Sequence, residues 1–516
     1  MKAKWETNLR IIMGKRTRRS AALGLSLIMV SGVIAGCSGS SSEQPENSVL
    51  RIGMMYGSAD NESWVRQQFT DTFEYMNPNI TLEIVYANEY NYIYNGQSNK
   101  EVEKQPDPYE KLKELMTGAN AIDVVMIDYY NLIRASQDGL LQQLDPLIAK
   151  DKFDISDYVP TVIDGLKAAG DSKIFALTPT FSSSALFYNK KIFADKGVQP
   201  PTDKMTWNQV FDLARKVSGG KGETQIFGLQ MNRWGGDPFN DIYSYTAPLN
   251  LKMYDDKGEK MLVDSGPAWS NVWKTMIDLY KDKVLPTQED ITKLNEARQK
   301  KMEKEQSNFN PYMNNNDLFS SGNVAMTIGD YSLISDIKRT NDMAEKNKEI
   351  KSVDWDVVTV PVFEEKPDVG GNVQLSQPFG INSKAQNPED AWEFIKFINS
   401  RDWAKLKSRS TYEIPAREEF IKPMDGMQYN IKAFYALKPV TEFNFALEKL
   451  GREKPGIYEV HSIGQTAFQE ALTGKKTPEE AVKEWAVKGN ALLQKLKTNP
   501  QGNTGSGTAE GAASGG

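Results

Sequence analysis

The stretch "SVLRIGMMYGSADNESWVRQQFTDTFEYMNPNITLEIVYA", residues 48–87, decides the fold class. Residues 48–57 are apolar and end in Gly57, the pattern of a buried strand. Residues 59–78 place Trp64, Phe69, Phe73 and Met76 at helical spacing, with Asp60 or Asn61 positioned as a cap. Residues 80–87 alternate as a second strand. Further on, "DPYEKLKELMTGANAIDVVMIDYYN" (107–131) gives a helix closing near Gly118 and an apolar strand, "VVMI". Strand, helix, strand, helix, strand calls for an α/β fold with a parallel sheet and helices on its faces. Ligands of such sheets bind beyond the carboxyl ends of the strands. That rule puts Tyr56, Gly57 and Ser58 at one rim with Asp128, Tyr129 and Tyr130.

Between the second and third strands lies "NEYNYIYNGQSNKEVEKQPD" (88–107), long, polar and tyrosine-rich. It reads as a surface insertion or as a loop over the cleft. Tyr90, Tyr92 and Tyr94 would share one side of an extended chain. A second α/β block starts at residue 173. "ALFYN" (185–189) is a strand, Lys190–Lys196 a helix, and "PPTDKMTW" a turn that caps the next helix. There Trp207, Val210, Phe211, Ala214 and Val217 form one apolar face. "IFGLQMN" (226–232), "LFSSGNVAMTIGDYSLI" (318–334) and "DVVTVPVF" (356–363) each supply a strand. Residues 281–305 are Lys/Glu-rich with helical spacing, a solvated helix face. "NPEDAWEFIKFINS" is a capped helix, and 428–498 read as largely helical. Trp64, Trp207, Trp392 and Trp485 lie on helical faces and are assigned to the core.

Composition narrows the chemistry. Cys37 is the single cysteine of 516 residues, so no disulfide and no cysteine-rich metal site exists. It follows a basic segment, Lys2, Lys4, Arg10, Lys15, Arg16, Arg18 and Arg19 against Glu6, and an uncharged run at 21–36. This is the layout of a secretory signal, and the run is short for a membrane span. Removing residues 1–36 takes seven basic residues and one acid from totals of 62 and 68, leaving a net charge of −12. Such acidity argues against nucleic acid as a partner. About 480 residues exceed one compact core, so two lobes are expected. His461 is the single histidine, which excludes histidine-rich metal sites, and with Cys37 assigned to a tether no metal or cofactor is expected. Carboxylate-only glycosidase chemistry survives this test. The run Asp151, Asp154, Asp157 does not alternate like a calcium loop and reads as capping and surface charge, and Arg417 in "IPAR" as the holder of a turn. The Gly/Ser-rich residues 499–516 are expected to form a disordered tail.

"VIAGC" (33–37) resembles a bacterial lipobox, which implies lipidation of Cys37, cleavage before it, and a flexible tether over 37–48. With "DVVMIDYYNLIRASQDGLLQQLDPLI" (123–148), the block at 173–217, "LFSSGNVAMTIGDYSLI", "PFGINSKAQNPEDAWEFIKFINS" (378–400) and "TGKKTPEEAVKEWAVKGN" (473–490), the chain resembles extracellular solute-binding proteins of the maltose-binding type. The resemblance spans most of 49–495. It implies a two-lobed periplasmic-binding-protein-like fold, each lobe a mostly parallel sheet flanked by helices, joined by crossing strands near Thr178–Ser184 and Gly371–Ile381. Lobe one would comprise 49–180 and 376–425, lobe two 183–372 and 430–498. It also implies a non-enzymatic receptor on the outer face of a membrane, held by lipid on Cys37. Such a receptor acts as a monomer that delivers a carbohydrate, expected to be an oligosaccharide, to ABC permease transmembrane subunits.

The ligand contacts expected on lobe one are Tyr56, Ser58, Asp128 and Tyr129, with Phe181, Ser182 and Gln377 from the crossings. On lobe two they are Trp234, Asp330, Tyr331 and His461. A receptor for peptide or another polar solute, and a surface glycoside hydrolase or lyase using paired carboxylates, stand as alternatives.

Overall fold

The first strand, β1 (Ser48–Gly57), lies between β2 (Ile80–Glu89) and β3 (Val124–Met126), parallel to both. The chain continues through β4 (Ala176–Leu177), β5 (Thr180–Ser182), β6 (Ser184–Asn189), β7 (Phe227–Gln230), β8 (Val324–Asp330) and β9 (Trp355–Val358). After these come β10 (Val369–Gly371), β11 (Gln374–Leu375), β12 (Phe379–Ile381), β13 (Ile414–Pro415) and β14 (Lys438–Pro439). The computed structural model describes residues 47–89, 107–233, 237–304, 317–347, 350–371, 373–439, 450–451 and 453–502. Cys37 and its leader, Trp234, and Tyr90, Tyr92 and Tyr94 lie outside the described residues.

Two sheets carry the fold, with strand orders β2-β1-β3-β12-β4 and β7-β8-β6-β9. In each, one strand opposes the rest: β12 runs antiparallel to β3 and β4, and β6 antiparallel to β8 and β9. Those two strands are the ones that follow a crossing. β6 enters the second sheet straight after β5, and β12 returns to the first straight after β11. At the crossing itself β5 pairs antiparallel with β11 and β13, in a ribbon of order β11-β5-β13. The lobes are therefore joined by hydrogen-bonded strands, a geometry that lets few residues absorb a hinge rotation.

Helix placement follows burial. Thr206 caps the helix Trp207–Val217 through a reciprocal box with Gln209, and Trp207, Val210, Phe211, Ala214 and Val217 are all buried. Trp392 and Trp485 are buried in helices of the first and second core respectively. The helix after β1 departs from its simple reading. Ser58 caps it, its amide and hydroxyl both reaching Asn61 Oδ1 at 3.0 and 2.7 Å. A π-helical turn, Arg66–Thr70, interrupts it before Asp71–Met76. Val65, Phe69 and Phe73, spaced four apart, point inward, while Trp64 is 50% and Met76 62% exposed. Assigning Trp64 to the core is thus corrected.

The aspartates at 151–157 are ties rather than free charge. Asp151 accepts from Trp392 Nε1 at 2.9 Å and from Lys396 at 2.7 Å, and Asp154 caps Ser156. Asp157 pairs with Arg401 and with the buried Arg417, whose Nε donates to the Asn399 carbonyl at 2.9 Å. The chain also stays in place past residue 498. Gly456 donates to the Pro500 carbonyl at 3.0 Å, while residues 499–501 are exposed.

Candidate functional site

Two pockets flank the crossing segment. The larger, about 780 Å³, is lined by Ser182 of the crossing strand β5 and by Trp207, Arg233, Tyr243 and Asp330 from the second lobe, among others. The smaller, about 350 Å³, lies at the carboxyl ends of β1 and β3 and is lined by Tyr56, Trp64, Tyr86, Asp128, Ser376 and Gln377, among others. Gln374 belongs to the first lining, and Ser376 and Gln377 to the second. Even fully extended chain covers only about 3.5 Å per residue. The two pockets therefore meet within roughly 11 Å along one segment. Tyr412, from the turn before β13, also reaches the larger pocket.

Tyr56, Asp128 and Gln377 thus come together in the smaller pocket, and Ser182 and Asp330 in the larger. Tyr56 is 40% exposed at the end of β1. Asp128 caps the helix Tyr129–Gln137, accepting from the Asn131 amide at 2.9 Å and side chain at 2.7 Å. Asp330 accepts from the Ser332 amide at 2.9 Å and from its hydroxyl. Both carboxylates are fixed by local turns, and neither has an ion-pair partner among the described residues.

The other expected contacts are placed differently. Phe181 is wholly enclosed, because β5 sits between β11 and β13 and its ring turns into the core. Tyr331 is buried against Phe434, with ring centroids 5.5 Å apart, and hydrogen-bonds to Tyr429. Ser58 is buried in its cap. Tyr129 is half-buried beside the smaller pocket's Asp128, and burial raises its hydroxyl pKa. His461 stacks on Tyr243, centroids 5.2 Å apart and planes 16° from parallel. It therefore supports a lining residue from behind, and burial lowers its pKa.

Several lining residues escape a sequence reading. Trp64 lines the smaller pocket, its ring half-exposed. Tyr86 Oη, Ser376 Oγ and Gln377 Oε1 are buried in the same pocket without a hydrogen-bond partner among the described residues. Trp207 lines the larger pocket with one edge while its body fills the core, and its Nε1 is likewise unpartnered. Arg233, also at the larger pocket, is buried between Asp317, at 3.3 Å, and Asp336. Apart from the Ser376-Gln377 neighbourhood, already marked by the crossing, no local motif singles these residues out. Among the described residues no cluster of His, Cys, Asp and Glu has the makings of a metal site. No described helix is long and apolar enough to cross a membrane.

Two sheets that exchange a strand, with pockets on either side of the exchange, define a two-lobed solute-binding protein. The family model for bacterial extracellular solute-binding proteins matches residues 58–405, and the chain belongs to that family. Its members are the binding components of ABC importers, act outside the cytoplasm, and bind solutes without transforming them. A putative binding protein of Brucella abortus (strain 2308) is 26% identical over 390 residues, covering 74% of this chain and 82% of that protein. The sn-glycerol-3-phosphate-binding periplasmic protein of Pectobacterium atrosepticum is 22% identical, over 67% and 72% of the two chains. Among solved structures, a family 1 solute-binding protein of Alicyclobacillus acidocaldarius superposes with a TM-score of 0.58 at 17% identity, covering 88% of this chain and 100% of that one. A sugar transporter of Rhizobium etli in an open conformation gives 0.55 at 19%, covering 86% and 99%. These likenesses establish the fold.

Proposed function

We propose that this chain is a membrane-tethered receptor that captures a carbohydrate, an oligosaccharide, between its lobes and delivers it to the transmembrane subunits of an ABC permease. One observation carries the sugar reading. Exposed aromatic rings, Tyr56, Trp64 and Tyr412, line the same two pockets as buried polar atoms that lack partners, on either side of the crossing segment. A sugar ring offers a flat C–H face for the first and hydroxyls for the second. Pockets of about 780 and 350 Å³ suit a ligand of more than one ring. A phosphate ester, the solute named for the Pectobacterium relative, needs cations. Arg233 is already held by two aspartates, which favours a neutral ligand over that one. A peptide receptor would leave the aromatic rings without so close a match.

In this reading lobe one comprises 49–180 and 376–425, and lobe two 183–372 and 430–498. Ligand held by both lobes favours the closed form, in proportion to the affinity difference between closed and open. Cys37 carries the lipid anchor, and the receptor works as a monomer. Thermal unfolding of the purified chain against oligosaccharides, monosaccharides and short peptides tests the solute class. A ligand at 100 times its Kd adds about 2.7 kcal/mol to stability. A melting shift with one oligosaccharide series, the sugar recovered intact, supports the proposal. A shift with peptides alone overturns its sugar component.

A further inference from the structure

We infer that the smaller pocket is a subsite that demands hydrogen-bond donors from its ligand, so that the receptor takes uncharged or amino sugars and excludes uronates and phosphorylated sugars. This rests on the carbohydrate reading above and narrows it to a chemical class.

The donor requirement comes from what the pocket presents. Gln377 Oε1 is buried, unpartnered and able only to accept. Asp128 faces the same pocket with a carboxylate that spends two contacts on Asn131, and an ionised carboxylate has about four accepting positions. Tyr86 Oη and Ser376 Oγ are buried and unpartnered, and hydroxyls adapt to a donor or an acceptor. None of the described residues lining this pocket is cationic. A ligand carboxylate or phosphate placed here would meet Asp128 and Gln377 with no compensating charge, a like-charge approach in a partly buried site. A sugar hydroxyl or ammonium would satisfy both acceptors.

The pocket is built rather than incidental. Trp64 supplies a half-exposed ring at its wall, standing edge-on to the buried Phe69 with centroids 6.3 Å apart. Tyr86 sits where it does because residue 57 is glycine: a Cβ at Gly57 would fall 2.1 Å from the Tyr86 ring. Three buried, unpartnered polar atoms in one small pocket are costly in a protein that bound nothing there, since each lost its hydration on folding. A ligand returns what folding removed.

That cost gives the test a signature that a purely structural role cannot produce. Removing an unpartnered hydroxyl leaves the unliganded protein as stable or more stable. Binding to the full-length chain is measured by calorimetry with maltotriose, cellotriose, mannotriose, glucosamine trimer and galacturonic acid trimer. The chain and its Tyr86→Phe, Ser376→Ala and Trp64→Ala variants are compared. The expected result is binding of one or more neutral or amino trimers, none of the galacturonate, and about tenfold weaker binding in each variant. The unliganded melting points of Tyr86→Phe and Ser376→Ala should equal or exceed that of the parent. Galacturonate binding as tightly as the best-bound neutral trimer would overturn the inference. So would sugar binding that survives all three substitutions, with the carbohydrate reading left intact. If no saccharide bound the parent chain at all, the carbohydrate reading itself would fall and this subsite with it.

Discussion

The Tyr280 hydroxyl donates to the Asp241 carboxylate between the helices Pro238–Thr246 and Ala268–Lys281, both residues being buried. Burial is the largest influence on Asp241 and lifts its pKa to about 7, with Asp237 adding to the rise and the Tyr280 bond opposing it. An aspartate in the unfolded chain ionises near 3.9. Below about pH 4 the group is neutral in both states and costs nothing. From there to about pH 7 the unfolded chain ionises first, so folding stability falls as pH rises. Asp241→Asn should flatten this slope and make the protein more stable at pH 8 by a few kcal/mol, at about 1.4 kcal/mol per pKa unit. Urea unfolding of both proteins from pH 4 to pH 8 checks it. A parent slope unaltered in the variant would show that Asp241 is not the source.

Arg417 should be among the costliest single losses. Its guanidinium is buried, paired with Asp157 and bonded to the Asn399 carbonyl, and it lies 4.8 Å from the centre of the Tyr158 ring. Arg417→Met leaves Asp157 half-enclosed, with only the exposed Arg401 to pair with. Breaking a buried pair from one side costs about 3–5 kcal/mol. Guanidinium unfolding should show the midpoint falling with the slope unchanged; a loss under 1 kcal/mol would refute this account.

Capping gives a smaller, cleaner effect. Thr206 Oγ1 accepts from the Gln209 amide at 3.3 Å, while the Gln209 side chain accepts from the Thr206 amide at 2.8 Å. Thr206→Ala removes half of this box and should cost about 1 kcal/mol. Equilibrium denaturation measures it, and no loss would mean that solvent replaces the cap freely.

The α/β architecture is legible because it depends on periodicity, which a single sequence displays. β1, the helix Trp207–Val217 and the burial of Trp392 and Trp485 all follow from apolar spacing alone. The site is less legible, for reasons that differ residue by residue. Trp64 lies about 140° round a regular helix from Phe69, off the row Val65, Phe69, Phe73 that is buried, so grouping it with Phe69 and Phe73 overlooks that rotation. Phe181 looks available at a crossing, yet pairing of β5 on both edges closes it in. Tyr86 reads as an ordinary strand residue, and its unpartnered hydroxyl is a property of its neighbours. Asp128 follows from the general rule for such sheets and Asp330 from the family resemblance, and both line pockets.

Tyr412 offers the last test, because its exposure is maintained by structure. The ring is 73% exposed at the larger pocket. Ser410 Oγ accepts from the Tyr412 and Glu413 amides, both at 3.3 Å, which fixes the turn. Glu413 in turn accepts from Thr180 Oγ1 at 2.7 Å, tying that turn to the crossing strand β5. A large ring held on a rigid turn in solvent contributes little to the unliganded fold, so Tyr412→Ala should change stability by no more than about 0.5 kcal/mol. Covering the same ring with a sugar face buries area that water otherwise wets, and losing it should weaken binding about tenfold. Thr180→Val keeps the ring but frees the turn, and should weaken binding by a smaller factor through lost preorganisation. Calorimetric titration of both variants, with the sugar that binds the parent, separates these effects. Unchanged affinity in Tyr412→Ala would remove the ring from the site. Equal losses in the two variants would mean that the anchored turn, rather than the ring it carries, is what the ligand requires.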